Sequence, residues 1–394
     1  MTWNLDAVIA SAARTPVGSY GGALSALRAP EMGSIVIKDA LKRANISTDD
    51  VEKVIMGNVL SAGLGQAPAR QAAIFAGLPK STSCLTINKM CGSGLKAVML
   101  AAQATTLGDA GCVVAGGMES MSNAPYLLDK ARFGYRMGDG KLVDSMIKDG
   151  LWDVYNDFHM GNAAEMCASE CNLSREEQDA YAKLSYERAI AAQKAGHFDA
   201  EIVDVTIKGR KGDTVVSSDE EPPRVKFDKI PNLRPVFDKE GTITAANAST
   251  INDGASAVVV TSSEFAEKNS LKPMAKIVGY ASAAKAPEWF TTAPIDAIQN
   301  VMDKTGLSTN DIDLFEINEA FAVVTMAANQ QLKLDIEKVN ISGGAVAIGH
   351  PIGASGARIL TTLLFNLKRT GGKLGLATLC IGGGEAVAVI VERI

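Results

Sequence analysis

Apolar runs rich in Val, Ile and Ala recur at residues 7–13, 54–59, 111–118, 257–261, 374–380 and 387–391, separated by Ala-rich stretches of helical spacing and by glycine-rich turns. Runs that stay apolar on consecutive positions mark strands covered on both faces. Their alternation with helices predicts an α/β protein layered around a largely parallel or mixed sheet. The order of parts occurs twice. Cys91-Gly-Ser-Gly-Leu-Lys is followed by a helical stretch, Gly108-Asp109 and Cys112-Val-Val-Ala-Gly-Gly; Gly353-Ala-Ser-Gly-Ala-Arg is followed by a helical stretch, Gly371-Gly372, an apolar run and Gly382-Gly-Gly. A repeat of that size reads as two similar halves.

Residues 122–248 break the pattern: they are richer in charge and turn residues, poor in strands, and read as an insertion. Within them Ser174-x-x-Glu177 forms a capping box that opens a helix of about six turns stopping near Gly196. Residues 221–235, rich in proline, read as an extended loop.

The chain has 394 residues, enough for two or three domains with real cores. Its 39 Lys and Arg stand against 44 Asp and Glu, a net charge of −5 with no basic cluster. That removes the electrostatic footprint expected of a nucleic-acid binder or of a protein attached to an anionic membrane surface. No apolar run approaches the roughly 18 residues of a bilayer span. Six cysteines, at positions 84, 91, 112, 167, 171 and 380, several inside apolar runs, suit reduced thiols rather than a disulfide framework. With no leader ahead of the first strand and no peroxisomal ending, the expected location is cytoplasmic.

The chemistry concentrates in four places. Cys91, in Asn88-Lys-Met-Cys-Gly-Ser-Gly, stands at a strand-to-helix turn, where the helix dipole and free backbone N–H groups are expected to lower the thiol pKa. A cysteine there is also an ordinary small buried hydrophobe. What gives it meaning is a histidine far downstream, since a nucleophilic Cys needs a partner near in space and distant in sequence. His350, one of three histidines, lies among glycines in Gly349-His-Pro-Ile-Gly353. Cys380 ends an apolar strand ahead of three glycines, and Asn318 lies in Asn318-Glu-Ala-Phe321, where an amide can hold an oxyanion or a water. Cys167 and Cys171, with His159 nearby, lack a fourth ligand, so no metal site is expected. No Walker A, HExxH or dinucleotide fingerprint stands in its required context.

These four motifs, in this order and separation, resemble the thiolase family, and the likeness covers essentially the whole chain, closest to its short-chain biosynthetic branch. The resemblance implies a thiolase fold: two duplicated βαβαβαββ halves in a five-layered α-β-α-β-α sandwich with an inserted loop domain. It divides the chain into a first half at 1–121 and 249–271, a loop domain at 122–248 for CoA binding and tetramerisation, and a second half at 272–394. It implies the reversible condensation of two acetyl-CoA into acetoacetyl-CoA and CoA through an acyl-cysteine. Cys91 is then the nucleophile and His350 its general base, which also serves one oxyanion site with a water held on Asn318. Cys380 is the acid/base of carbon–carbon bond chemistry, and the backbone N–H groups of Cys91 and Gly382 form the second oxyanion hole. Contacts to the CoA thioester fall to His159, Met160, Arg224, Ser249, Ala320 and Phe321. Ser93 belongs to the first half, and the site lies between halves, faced by helix N-termini. CoA and acetyl-CoA enter as substrates, with no permanently bound cofactor, and the assembly is a homotetramer built through residues 123–146.

Two rivals remain open at this stage. One is a degradative thiolase of broader or 2-methyl-branched range, for which Phe290 lies at a position where family members vary; Pro222, where a potassium-stimulated type has Tyr, speaks against a potassium site. The other is a non-catalytic acyl-CoA-binding scaffold, expected to lose one of Cys91, His350 and Cys380. A condensing enzyme of the ketoacyl synthase type is expected to have His in place of Cys380.

Overall fold

The computed structural model describes residues 5–394; residues 1–4, which the expected first half includes, lie outside the described residues. The chain runs β1 (Val8–Arg14), α1 (Ala29–Ala44), β2 (Lys53–Gly57), α2 (Pro68–Phe75), β3 (Ser83–Ile87), α3 (Ser93–Thr106) and β4 (Cys112–Ser120). It then enters the inserted segment, whose main helices are α4 (Met160–Glu170) and α5 (Arg175–Lys194). It returns with β5 (Asn252–Thr261) and continues through β6 (Ala275–Ala284), α6 (Ala293–Thr305), β7 (Leu314–Ile317), α7 (Ala322–Leu332), α8 (Ile352–Thr370), β8 (Leu374–Ile381) and β9 (Glu385–Arg393). The strands in the insertion are two or three residues long.

One sheet path follows the order β7-β8-β9-β6-β1-β5-β4-β2-β3, with the pair Gly18–Ser19 added beside β5. Its two parts repeat each other. In the first, β1, β5 and β4 are antiparallel neighbours and β4, β2 and β3 are parallel. In the second, β6, β9 and β8 are antiparallel neighbours and β8 and β7 are parallel. Where the first part has β3, the second has only a parallel bridge between Phe315 and Val339. The two parts join through Val8 and Ile9 of β1, paired with Lys276 and Ala275 of β6.

Helices α3 and α8 occupy equivalent places in the two parts and pack on one another. Both are buried over most of their length; α3 is apolar nearly all round, whereas α8 also buries Ser355, Arg358, Thr361, Thr362 and Asn366. Contact is close because Gly94 and Gly356 meet there: a Cβ on Gly94 would lie 2.7 Å from Ala357 N, and one on Gly356 would lie 2.4 Å from Leu95 N. α1 and α2 pack on each other, α1 against β5, and α6 covers β6 and β9. β4 and β5 are buried at every position, which is why their runs do not alternate.

The insertion is fastened to the sheet by charge. Arg14, at the end of β1, is fully buried, with Nε 2.5 Å from Glu201 and its two Nη atoms 2.7 and 3.0 Å from Asp219. Pairing on both sides is what makes a buried guanidinium tolerable. The capping box at Ser174 forms as expected, with Glu177 N–H on Ser174 Oγ and the Glu177 carboxylate on Ser174 N–H. Residues 221–235 depart from the extended loop expected of them, carrying 3-10 turns at Pro222–Arg224 and Phe227–Asn232. Proline supplies a helical φ at the start of a turn as readily as it breaks one, and Ile230 is buried there. Among the described residues no helix is long and apolar enough to cross a membrane.

Candidate active site

Cys91 sits on the turn between β3 and α3. Met90, just before it, has φ 46°, a left-handed conformation that non-glycine residues seldom adopt. Side chains hold the turn: Asn88 Oδ1 accepts from Met90 N–H at 2.9 Å, while Ser93 Oγ accepts from Lys89 N–H at 2.9 Å and donates to Met90 O at 2.6 Å. Backbone N–H groups of Gly382 and of Cys91 itself hydrogen-bond the sulfur. Even so, burial dominates and pushes the thiol up to about 11, with the Glu119 carboxylate adding to the rise. The lowered pKa expected from the helix N-terminus is therefore corrected: desolvation of the charged form outweighs the donors.

His350 leads into α8. Its Nδ1 stands 2.6 Å from Ser355 Oγ, and its Nε2 is buried with no partner among the described residues. Burial, with the Arg358 charge behind it, lowers its pKa to about 3, so the ring is neutral. Asn318 follows β7 and Cys380 stands near the end of its parallel neighbour β8, in which Thr378 is opposite Ile317. Asn318 and Cys380 are both fully buried, and among the described residues neither the Oδ1 nor the Nδ2 of Asn318 has a partner. The Cys380 thiol is raised well above its ordinary pKa by burial and by Cys91.

Cys91, His350 and Gly382 line one cavity of about 290 Å³, together with His159, Met160, Ser249, Ala320 and Phe321. Cys380 and Asn318 are not among the residues that line it, but Cys380 belongs to one buried cluster with Met160, Phe290, Ala320 and Phe321, all four of which do. Among the described residues no Lys or Arg lines the cavity, and α3 and α8 both begin at its wall, where the positive ends of their dipoles favour negative charge. A neighbouring cavity of about 530 Å³ shares Val236, Phe237 and the stretch 248–251 with the first. Arg224 lines that outer space, bonded to the Ser19 hydroxyl.

His159 caps α4, its Nδ1 accepting from Gly161 N–H at 3.1 Å, and its ring stacks on Phe237 at 4.7 Å. Ser249 is set beside Ala320 by its own N–H donating to Ala320 O at 3.0 Å and by the Ala248–Phe321 bridge.

Three residues that sequence reasoning passed over hold this arrangement. Ser355 orients His350. Glu119, buried at the end of β4, accepts from Asn58 Nδ2 and from Val59, Leu60 and Gly353 N–H at 2.7–3.2 Å, tying the loop after β2 to the start of α8. Burial raises its pKa to about 7 against those donors. Glu319, beside Asn318, accepts from Tyr181 and Ser185 of α5, from Asn340 and from Val346 N–H. The available signal was a carboxylate inside an apolar strand or motif, since unpaired acids are seldom buried. Cys167, in α4, and Cys171, just after it, are free thiols that hydrogen-bond each other, and among the described residues no group of His, Cys, Asp and Glu could hold a metal ion.

Two family models account for nearly the entire chain: thiolase, N-terminal domain, over residues 7–264, and thiolase, C-terminal domain, over residues 271–393. The chain belongs to the thiolase family. This thiolase is 56% identical to the acetyl-CoA acetyltransferase of Cupriavidus necator over 390 residues, covering 98% of this chain and 99% of the relative. It is 53% identical to acetyl-CoA acetyltransferase 2 of Arabidopsis thaliana, covering 98% and 97%. It is 50% identical to the acetyl-CoA acetyltransferase of Schizosaccharomyces pombe, covering 99% and 100%.

Proposed function

We propose that this thiolase is an acetyl-CoA C-acetyltransferase that interconverts two acetyl-CoA with acetoacetyl-CoA and CoA by way of an acetyl-Cys91 intermediate. The observation that carries the reading is a neutral Cys91 thiol that meets two backbone donors in a cavity also lined by His350, whose Nε2 is unpartnered. The names of its relatives support the same activity.

In thiolysis, Cys91 Sγ attacks the 3-keto carbon of acetoacetyl-CoA as its proton passes to His350 Nε2. The backbone N–H groups of Cys91 and Gly382 face the oxyanion that develops. The C2–C3 bond breaks with its electron pair on C2, and Cys380 protonates that carbon to release acetyl-CoA. A thiol held well above its ordinary pKa has its proton ready for this step. The imidazolium, with a water held on the unpartnered Asn318 amide, faces the thioester oxygen of the enolate, and its proton then resets Cys380. CoA enters, loses its thiol proton to His350, and attacks acetyl-Cys91; the departing Cys91 thiolate takes the proton back. Condensation is the reverse.

In the layered reading, the sheet parts and the α3–α8 pair are the middle of a five-layered α-β-α-β-α sandwich. Its halves are 1–121 with 249–271 and 272–394, with 122–248 as the loop domain. The pantetheine arm would pass His159, Met160, Ser249, Ala320 and Phe321, and the nucleotide end would reach Arg224 in the outer space. A homotetramer is supported by the exposure of Phe133 and Met137, at 93% and 98%, in the segment joining the ribbon strands Tyr126–Leu127 and Val143–Asp144. Six free cysteines are in keeping with a cytoplasmic location.

The test is thiolysis of acetoacetyl-CoA, 2-methylacetoacetyl-CoA and a longer 3-ketoacyl-CoA, each with CoA, followed by loss of enolate absorbance. Turnover of the four-carbon substrate alone is expected, given a small cavity lined by Leu151, Met160, Phe290 and Ile352. Broad or branched activity moves the enzyme to the degradative reading, and no activity with any substrate defeats the assignment.

A further inference from the structure

The oxyanion donors proposed above come from two turns that belong to different parts of the fold. The Cys91 turn is strained at Met90 and braced by its own side chains. The Gly382 turn is unlike it. Gly383 and Gly384 follow with φ 95° and 87°, so nothing in their side chains fixes where the Gly382 N–H points. On its outer side this turn is held by Lys285 N–H donating to Gly384 O at 2.8 Å. On its inner side two contacts cross to the other turn. Ile381 packs so closely on Gly92 that a Cβ there would lie 2.3 Å from Ile381 Cδ1. Lys89 Nζ lies 2.6 Å from Glu385 Oε2, an ion pair between residues 296 positions apart.

We propose that the Lys89–Glu385 ion pair is a positioning clamp, holding the Gly382 turn against the Cys91 turn so that both N–H groups converge on the reacting carbonyl. Neither side chain lines the Cys91 cavity, so the pair acts through the turns and not on substrate. The pair is partly shielded, with side-chain exposures of 23% and 37%. Lys96 of α3 lies in the same field and feels both partners, so simple removal of Lys89 leaves a second cation near Glu385. Charge reversal is therefore the decisive change.

The clamp rests on the proposed acetyl transfer, and the experiment separates the two. Wild type, Lys89→Glu, Glu385→Lys, the double variant and the milder Lys89→Met are compared for Cys91 acetylation by acetyl-CoA, read by mass spectrometry, and for steady-state thiolysis. Each reversal is expected to lower kcat and the acetylation rate about tenfold, and Lys89→Met about two- to fivefold, with KM for CoA within about twofold of wild type. The double variant, which restores the pair with its ends exchanged, is expected to recover kcat to within about twofold of wild type. Wild-type kcat in the single variants, or a double variant no better than the worse single, overturns the clamp. If a reversal prevents folding, Glu385→Gln, which removes the anion that either Lys89 or Lys96 could pair with, decides, and wild-type kcat in it overturns the clamp. Failure of the wild-type protein to acetylate Cys91 overturns the underlying function instead.

Discussion

The Nδ1 of His350 and the hydroxyl of Ser355 stand 2.6 Å apart, and the hydroxyl proton of Ser355 is already committed to Pro351 O at 2.9 Å. Ser355 Oγ must therefore accept from Nδ1–H, which leaves the lone pair on Nε2. That tautomer is the one a base for Cys91 needs. Ser355→Ala removes the acceptor without touching substrate. It is expected to lower kcat about tenfold, the equivalent of one hydrogen bond of about 1.4 kcal/mol, while KM for CoA stays near wild type. Wild-type kcat in steady-state thiolysis would show that the ring needs no such support.

Cys91 and His350 form a neutral pair at rest, with a thiol pushed up to about 11 and an imidazole lowered to about 3. A raised thiol pKa means less thiolate at any working pH, roughly one part in ten thousand at pH 7. Alkylation of Cys91 by iodoacetamide should then rise about tenfold per pH unit through pH 9, with no plateau near the ordinary thiol value of about 8.5. Because the imidazole gains its proton only near pH 3, the profile should show no step near 6.5. A plateau below pH 9, or a step near 6.5, would identify a thiolate–imidazolium pair instead.

Cys91, His350, Asn318 and Cys380 could be singled out from the sequence because each stands in a local motif, and because the order of turn, helix and strand occurs twice. Ser93 and Ser355 occupy the same place in that repeat, and each donates to a carbonyl of the preceding turn, Met90 O and Pro351 O. The repetition was visible; its purpose needed coordinates. Glu119 and Lys89 were not legible, since their partners Gly353 and Glu385 lie 234 and 296 residues away. The direction of the Cys91 shift was misread for a related reason. Helix position can be inferred from sequence, but desolvation depends on what the rest of the chain folds over the sulfur. The 3-10 turns at 222–232 were hidden by prolines that suit a loop and a turn start equally well.

Proton transfer at Cys380 and acyl transfer at Cys91 are separable in the proposed cycle. Cys91→Ser is expected to abolish turnover while CoA binding remains. Cys380→Ser should lower thiolysis of acetoacetyl-CoA by about 10²- to 10⁴-fold, the usual contribution of a general acid. Acetylation of Cys91 by acetyl-CoA breaks no carbon–carbon bond, so exchange of labelled CoA into acetyl-CoA should persist in the same variant. Equal loss of exchange and thiolysis would place Cys380 in acyl transfer as well.

The α3–α8 crossing sets the distance between the two halves of the site, because α3 follows Cys91 and α8 follows His350. At Gly356 an added Cβ would meet backbone, Leu95 N at 2.4 Å, so relief requires the helices to move apart rather than a side chain to turn away. Gly356→Ala is expected to destabilise the fold by about 1–3 kcal/mol, as overpacking does, and to lower kcat of the folded enzyme as well. Gly108→Ala is the control. Gly108 has φ 70° with nothing among the described residues within 4 Å of an added Cβ, so alanine there costs about 1 kcal/mol of backbone strain without moving the turns at Cys91 and His350. Urea unfolding should show both variants weakened, and only Gly356→Ala should lose kcat at temperatures where both are fully folded. Wild-type kcat in folded Gly356→Ala would mean that the site tolerates a wider helix crossing and that the glycine serves packing alone.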